Sequence, residues 1–251
     1  MHNVDTYRKP FLKEVIVRID FSTTIIRQNK IEPTLEKKAL ERFPISEPRK
    51  VLSQELQLSH DQMKHTRQDY VEWNYLGKNG EKRLAIAPEY VYVTYSKYES
   101  FDSLKCDFGS VLQELYRIYP DLYGKRLGLR YINAIELNER DPFCWDDLID
   151  EDLLLLFKRF RDKKNSTTRL FNIVELKYND DMQVNFQFGA PNPDYPAPIR
   201  RPYYVLDIDA YYQGLIEIQN ISRFLENAHS TVQELFEQSI KDELRRIMNE
   251  R

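Results

Sequence analysis

Alternation of apolar and polar residues marks the β-strands of this 251-residue chain. Between residues 14 and 21, the side chains of Val15, Val17 and Ile19 alternate with mostly polar ones, and residues 182–188 repeat the pattern. A period of two places the apolar side chains on one face of a strand and the polar ones on the other. Strands of this kind are typical of antiparallel sheets in which one face is covered and the other is exposed to water. The sequence therefore predicts an antiparallel sheet with one face open to water.

Helical segments separate the strands. In these segments apolar residues recur at intervals of three and four, which is the spacing of an amphipathic helix. Helices are predicted at residues 33–43, 104–119, 145–160 and 221–248. Further strands are predicted at residues 70–75, 83–87, 90–95, 126–137, 169–178 and 203–212. Turns are expected at Asn79-Gly80 and Asn179-Asp180-Asp181, and a polar stretch with His60 and His65 precedes the strand at 70–75.

The order strand, helix, three strands, helix occurs twice in this series. It divides the chain into two predicted β-α-β-β-β-α halves, residues 1–122 and 123–251, and the second half ends in a long helix. We expect the halves to pack as one α+β unit in which helices cover one face of the sheet. This duplicated arrangement resembles in outline the saddle of the TATA-binding protein, a likeness of shape that implies no function.

The composition excludes several classes of protein. Hydrophobic residues make up 41% of the chain, and 37 basic residues stand against 40 acidic ones, which argues against a protein that coats nucleic acid. No G-x-G-x-x-G or G-x-x-x-x-G-K-[ST] loop is present, which argues against two common kinds of nucleotide-binding enzyme. The longest apolar run, residues 153–157, is far shorter than the ~20 residues of a membrane helix. We therefore expect a cytoplasmic protein without a nucleic-acid or membrane partner.

The cysteines and histidines predict no cofactor. Cys106 and Cys144 are expected to be small buried side chains in a reducing compartment. Together with the four histidines, they show none of the spacings of a zinc site. His229 lies at the flank of the apolar stripe of the last predicted helix and is expected to be a hydrogen-bonded structural histidine.

The segment Gly128-Leu129-Arg130-Tyr131-Ile132-Asn133 is the most specific of several short motifs in the chain. The others are Tyr7-x-x-Pro10-x-x-x-Glu14-Val15-Ile16, Leu206-Asp207-Ile208-Asp209, and Ala228-His229 with Phe236. Together they resemble a family of uncharacterised prokaryotic proteins of similar length that occurs sporadically in bacteria and archaea. The resemblance covers the whole chain and implies a self-contained domain, but it implies no activity, cofactor or catalytic residue.

The mid-chain motif also contains a candidate binding site. Arg126, Gly128 and Arg130 share one face of a predicted strand, and a glycine inside a strand indicates a bulge or a close backbone approach. Two arginines beside a glycine can bind a carboxylate or a phosphate with paired hydrogen bonds. We include Asn133 from the same strand in this candidate site.

Two aspartates form a second candidate group. Asp207 and Asp209 share one face of a predicted strand, about 7 Å apart, where they can bind a cation or act as an acid–base couple. The alternative is that they pair with Arg130, or with Arg200 and Arg201, and stabilise the sheet.

A metal-dependent nuclease is the enzymatic alternative. Glu175 and Lys177 lie two apart on a predicted strand and follow Asp162 by 13 and 15 residues. In nucleases of the PD-(D/E)xK type, such carboxylates hold Mg²⁺ while the lysine orients water or phosphate. An ordinary exposed charge pair is the other interpretation of these residues.

Seventeen tyrosines, among them Tyr92 and Tyr211, are concentrated in the predicted strands. Tyrosine is frequent at protein interfaces. The leading hypothesis is therefore a non-enzymatic binding or regulatory module that offers a Tyr-rich sheet face to a protein partner or to a second copy of itself as a homodimer. The alternatives are the nuclease, with Mg²⁺ bound by Asp162 and Glu175, and a binder of small anions or nucleotides that uses Arg126 and Arg130.

Overall fold

A computed structural model describes residues 7–26, 30–59, 62–138, 140–178 and 181–249. His60, Asn179 and Asp180 lie outside these residues, so of the turn predicted at Asn179-Asp180-Asp181 only Asp181 is described. The strands and helices of the described ranges are β1 (Leu12–Phe21), α1 (Pro33–Arg42), β2 (Ile45–Ser46), β3 (Arg49–Ser59), β4 (Gln62–Leu76), β5 (Lys82–Ala87), β6 (Tyr90–Tyr95), α2 (Phe101–Ile118), β7 (Gly124–Glu136), α3 (Leu155–Arg159), β8 (Leu170–Lys177), β9 (Met182–Ala190), β10 (Tyr203–Ile216), α4 (Ile218–Ser239) and α5 (Asp242–Asn249).

The ten strands form one open antiparallel sheet, so the predicted α+β class is confirmed. Their order across the sheet is β2-β4-β5-β6-β1-β7-β10-β9-β8, and β3 pairs with β4. The two central strands, β1 and β7, pair with Val17 opposite Leu129. Strands β6, β5 and β4 follow β1 on one side, and β10, β9 and β8 follow β7 on the other. Internal duplication and a saddle shape stay predictions.

The core lies between one face of the sheet and the helices. Val15, Val17 and Ile19 of β1 are fully buried there, as the alternation in the sequence predicts. Helices α2 and α4 pack on this face, where His229 of α4 lies within hydrogen-bond distance of Tyr131 of β7. The opposite face of the sheet carries the polar side chains of the same strands, and we call it the helix-free face.

The polar stretch before residue 70 belongs to a long β-hairpin, which the sequence analysis did not predict. Strand β3 pairs with β4 along its whole length, with Leu56 opposite His65. Because pairing of neighbouring strands is a matter of backbone hydrogen bonds, it does not require the apolar alternation on which strand prediction relies.

The predicted helix over residues 145–160 is wrong for residues 145–150, which are not helical; a 3₁₀ helix at Glu151–Leu154 and then α3 occupy residues 151–159. Trp145 is fully buried in a turn and donates from Nε1 to the carbonyl of Pro142 at 2.8 Å. The Asp150 side chain accepts from the backbone N–H of Asp152 and begins a 3₁₀ turn. A side-chain cap of this kind satisfies a free N–H of the first turn, so the helical segment begins at Glu151 and not at Trp145.

The long C-terminal helix is also wrong as predicted, because it is broken at Ile240. This residue is extended, with φ −118° and ψ 152°, and forms a β-bridge with Ile149. The backbone of Leu148 and Asp150 pairs with that of Lys241 and Ser239 at 2.8 and 2.9 Å. These long-range bonds replace helical ones, although the apolar stripe of the sequence continues across the break.

Both cysteines are exposed and unpaired, which corrects the expectation that they are buried. Cys106 lies on the outer side of α2, between the buried Leu104 and Asp107, and Cys144 lies in the turn before Trp145. In both segments the neighbouring side chains are buried and the thiols are exposed.

Candidate functional site

A trough of about 900 Å³ lies on the helix-free face of the sheet, across β5, β6, β1, β7 and β10. Side chains alternate along each strand, so the residues next to the buried ones point into it. Five cationic residues line the trough: Arg18, Arg83, Lys125, Arg126 and Arg130. Three acidic residues line it as well: Glu14, Asp20 and Asp209. Among the residues that line the trough, cationic side chains therefore outnumber acidic ones by two, on a chain whose formal net charge is −3.

The strand register explains why distant parts of the sequence meet in the trough. Tyr92 of β6 is opposite Arg18 of β1, Arg18 is opposite Gly128 of β7, and Gly128 is opposite Tyr211 of β10. Neighbouring strands are about 4.8 Å apart, so these four positions span about 14 Å across the sheet. The predicted site residues Tyr92, Gly128 and Tyr211 thus lie in one row.

Arg126 occupies the space above Gly128. Its Nη2 donates to Asp209 Oδ2 at 2.7 Å, and its Cζ lies 4.6 Å from the centroid of the Tyr211 ring. A Cβ atom at Gly128 would approach Arg126 Nη1 to 2.7 Å. Glycine therefore allows the guanidinium to lie close to the strand, and no positive φ is involved.

Arg130 forms a two-point ion pair with Asp207, with Nε–Oδ1 at 2.7 Å and Nη2–Oδ2 at 2.5 Å. These hydrogen bonds raise the pKa of Arg130. Burial raises the pKa of Asp209, although Arg126 and Arg130 act to lower it. The structure therefore contains the cross-strand pairing that was the alternative interpretation of the two aspartates. Arg201 pairs with Asp194 at 2.9 Å.

Two further arginines in the trough stack on tyrosines of β6. The Cζ of Arg18 lies 4.1 Å from the Tyr90 ring centroid, and its Nη2 pairs with Asp20 at 2.5 Å. The Cζ of Arg83 lies 5.2 Å from the Tyr92 ring centroid. The Tyr90 and Tyr92 rings are stacked, with centroids 5.9 Å apart. Neither arginine is among the predicted site residues, although the alternation of β1 already places Arg18 on its polar face.

Asn133 lies on the opposite side of the sheet from the trough, in contrast to the other predicted binding residues of β7. It is buried, and its Nδ2 lies 3.5 Å from the carbonyl of Leu206. The sequence contained the signal for this difference, because 133 is an odd position and 126, 128 and 130 are even. His229 is buried on this side, where it stacks on Phe101 with centroids 4.0 Å apart.

The three residues of the nuclease hypothesis lie in two different elements. Asp162 is in an exposed 3₁₀ turn, whereas Glu175 and Lys177 are exposed on the edge strand β8. Among the described residues, no hydrogen bond or ion pair joins Asp162 to either of them, and no group of three His, Cys, Asp or Glu side chains is placed to hold a metal. The nuclease therefore stays a hypothesis that this geometry does not favour.

No protein-family model matches this chain, and no curated protein matches it. The resemblance to a sporadic prokaryotic family therefore stays an expectation. Within the described ranges, none of the helices has the length and apolar character that crossing a membrane requires.

Proposed function

We propose that this protein is a non-enzymatic, cytoplasmic binding module that holds an acidic segment of a partner protein in the trough. The observation that carries the proposal is the row of arginines stacked on tyrosines along the helix-free face. Arginine and tyrosine are enriched among the residues that dominate protein interfaces. The two exposed, unpaired cysteines favour a reducing compartment.

The charges and the packing of the trough both favour such a partner. Arg18, Arg126 and Arg130 are each paired with an aspartate. Arg83 forms no ion pair among the described residues, so its charge is the one that attracts an acidic segment. Arg18, Arg83 and Arg126 each lie against a tyrosine ring, which restricts the guanidinium groups before a partner arrives. Side chains that are already ordered lose less conformational entropy on binding.

Arg83→Glu is expected to weaken partner binding by about 10-fold or more, because it reverses a charge in the trough and removes the stack on Tyr92. The partner is captured from a lysate with the unaltered protein, identified, purified, and titrated against each variant. The matched control is Arg223→Glu on α4. In the unaltered protein, the Cζ of Arg223 also lies 5.2 Å from an aromatic centroid, that of Phe224. Equal affinities of the two variants would contradict the proposal.

Self-association is a separate outcome of the same experiment. Light scattering on the purified protein gives the oligomeric state of the original chain and of Arg83→Glu. A dimer that dissociates only in the Arg83→Glu variant identifies a second copy, and not another protein, as the occupant of the trough.

A small anion is the second candidate occupant, and Arg126 is the observation that favours it. Its guanidinium is held by Asp209 and Tyr211 while Nη1 lies over the bare backbone of Gly128. A fixed guanidinium of this kind is suited to phosphate or carboxylate.

Under the anion alternative, Gly128→Ala is expected to weaken anion binding by about 10-fold, because the new methyl group displaces Arg126 without changing its charge. Since the displaced atoms are the end of a flexible side chain, we expect less than about 1 kcal/mol of lost stability. Thermal-shift and calorimetric titrations with pyrophosphate and nucleotides provide the measurement. If no anion raises the melting temperature of the original protein or of Gly128→Ala, and calorimetry detects no binding to either, this alternative is rejected.

A further inference from the structure

A second cavity, of about 100 Å³, lies on the helix-covered side of the sheet. It is bounded by the chain before β1, the segment before α2, the buried face of β7, and helices α4 and α5. It is distinct from the trough, because Tyr131 and Asn133 of β7 face it, whereas Arg126, Gly128 and Arg130 of the same strand line the trough.

Aromatic rings form much of the wall of this cavity. Tyr7 and Phe236 meet edge to face, with centroids 6.4 Å apart and ring planes at 69°. Tyr98 and Tyr131 meet in the same way, at 5.6 Å and 71°. Because these four rings come from the chain before β1, the segment before α2, β7 and α4, aromatic rings bound the cavity from several sides. His229 adds a fifth ring.

The polar groups around these rings favour a cation. Glu99 lines the cavity and is exposed, so a carboxylate borders it, and no lysine or arginine is among its described lining residues. Behind the wall, Glu237 accepts a hydrogen bond from the Tyr7 hydroxyl at 2.6 Å. The nearby Arg245 is paired with Glu237 at 2.8 Å.

We propose that this aromatic pocket binds a compact quaternary ammonium group, such as the trimethylammonium head of a small ligand. The negative faces of aromatic rings attract such a cation, and the group needs no hydrogen bonds from the wall. An apolar cavity of about 150 Å³ holds benzene, so about 100 Å³ suits a group with fewer heavy atoms.

Choline and its uncharged isostere 3,3-dimethylbutan-1-ol are the probes that test the proposal by calorimetric titration of the full chain. Choline is expected to bind at least about 10-fold more tightly than the alcohol, because only choline gains attraction to the rings. Equal affinities, or no choline binding at about 10 mM, would overturn the proposal.

Three variants locate the binding. Tyr98→Leu removes one ring and is expected to weaken choline binding by about fivefold or more, whereas Tyr98→Phe keeps the ring and most of the affinity. Tyr123→Leu, which removes an exposed tyrosine outside the cavity, is the control. If Tyr98→Leu does not fold, as judged by circular dichroism, Glu99→Gln at the exposed border replaces it and is also expected to weaken binding. Choline binding at full strength in the folded variant that is tested would overturn the proposal.

Discussion

Replacement of Asp107 with alanine is expected to destabilise the protein by about 3–5 kcal/mol, because it breaks a buried network of charges. Asp107 is 2% exposed, on the sheet side of α2. Its Oδ2 accepts from Lys82 Nζ at 2.5 Å and from the Tyr95 hydroxyl at 2.6 Å. Arg42 Nη1 lies 3.3 Å from Oδ1. One carboxylate thus joins α1, β5, β6 and α2.

The cost comes mainly from the groups that lose their partner. The Lys82 ammonium is mostly buried and lies 4.9 Å from the centroid of the Phe43 ring. Without Asp107, this charge and the Tyr95 hydroxyl lose the acceptor that satisfies them. Burial, together with the hydrogen bond to Asp107, holds the pKa of Tyr95 above its usual value, so the hydroxyl stays a donor at neutral pH.

Urea denaturation followed by circular dichroism measures this loss. Asp102→Ala is the matched control, because Asp102 is exposed in the first turn of the same helix. Among the described residues it forms no hydrogen bond or ion pair, and it lies near the N-terminal end of the helix dipole, so its removal is expected to cost no more than about 1 kcal/mol. If the two substitutions cost the same, the buried network does not stabilise the fold in the way we describe.

Gly189→Ala is the second substitution with a large expected effect, a loss of about 2–5 kcal/mol from backbone strain and overpacking together. Gly189 of β9 has φ +125°, which L-residues rarely adopt. A Cβ atom there would lie 2.2 Å from the carbonyl oxygen of Leu170 and 3.2 Å from the Cα of Phe171. Both neighbours are backbone atoms of β8, so rotation of a side chain cannot relieve the contact.

Gly109→Ala provides a control with the opposite expected sign. Gly109 lies inside α2, and a Cβ atom there meets nothing within 4 Å. Alanine in a helix interior is more stable than glycine by about 0.5–1 kcal/mol. Denaturation curves of the two variants should therefore shift in opposite directions. If both variants are destabilised, or both are stabilised, the local backbone conformation at the two glycines does not explain the changes in stability.

The sequence predicted which side of β7 lines the candidate site, but it did not predict every residue of the site. Period-two alternation is a local property of the backbone, so Arg126, Gly128 and Arg130 were correctly placed together on one side of β7. Arg83 was missed because it lies 43 residues or more from these positions along the chain, on β5, three strands away from β7. Only the register of β5, β6, β1 and β7 brings it to the same trough.

The helices show the same division between local and distant causes. Within α4 the predicted apolar stripe correctly identified Ile221, Leu225 and Val232 as facing the core, since that depends on helical period alone. Beyond the break, the buried Met248 lies outside the predicted stripe. The break at Ile240 depends on backbone bonds to residues 148–150, about 90 positions earlier. The amino-acid order thus fixes which way each side chain points along its own element, because chain geometry repeats every two or every 3.6 residues. Which elements become neighbours, and so where the trough, the aromatic pocket and the Asp107 network form, follows from long-range pairing that no local period contains.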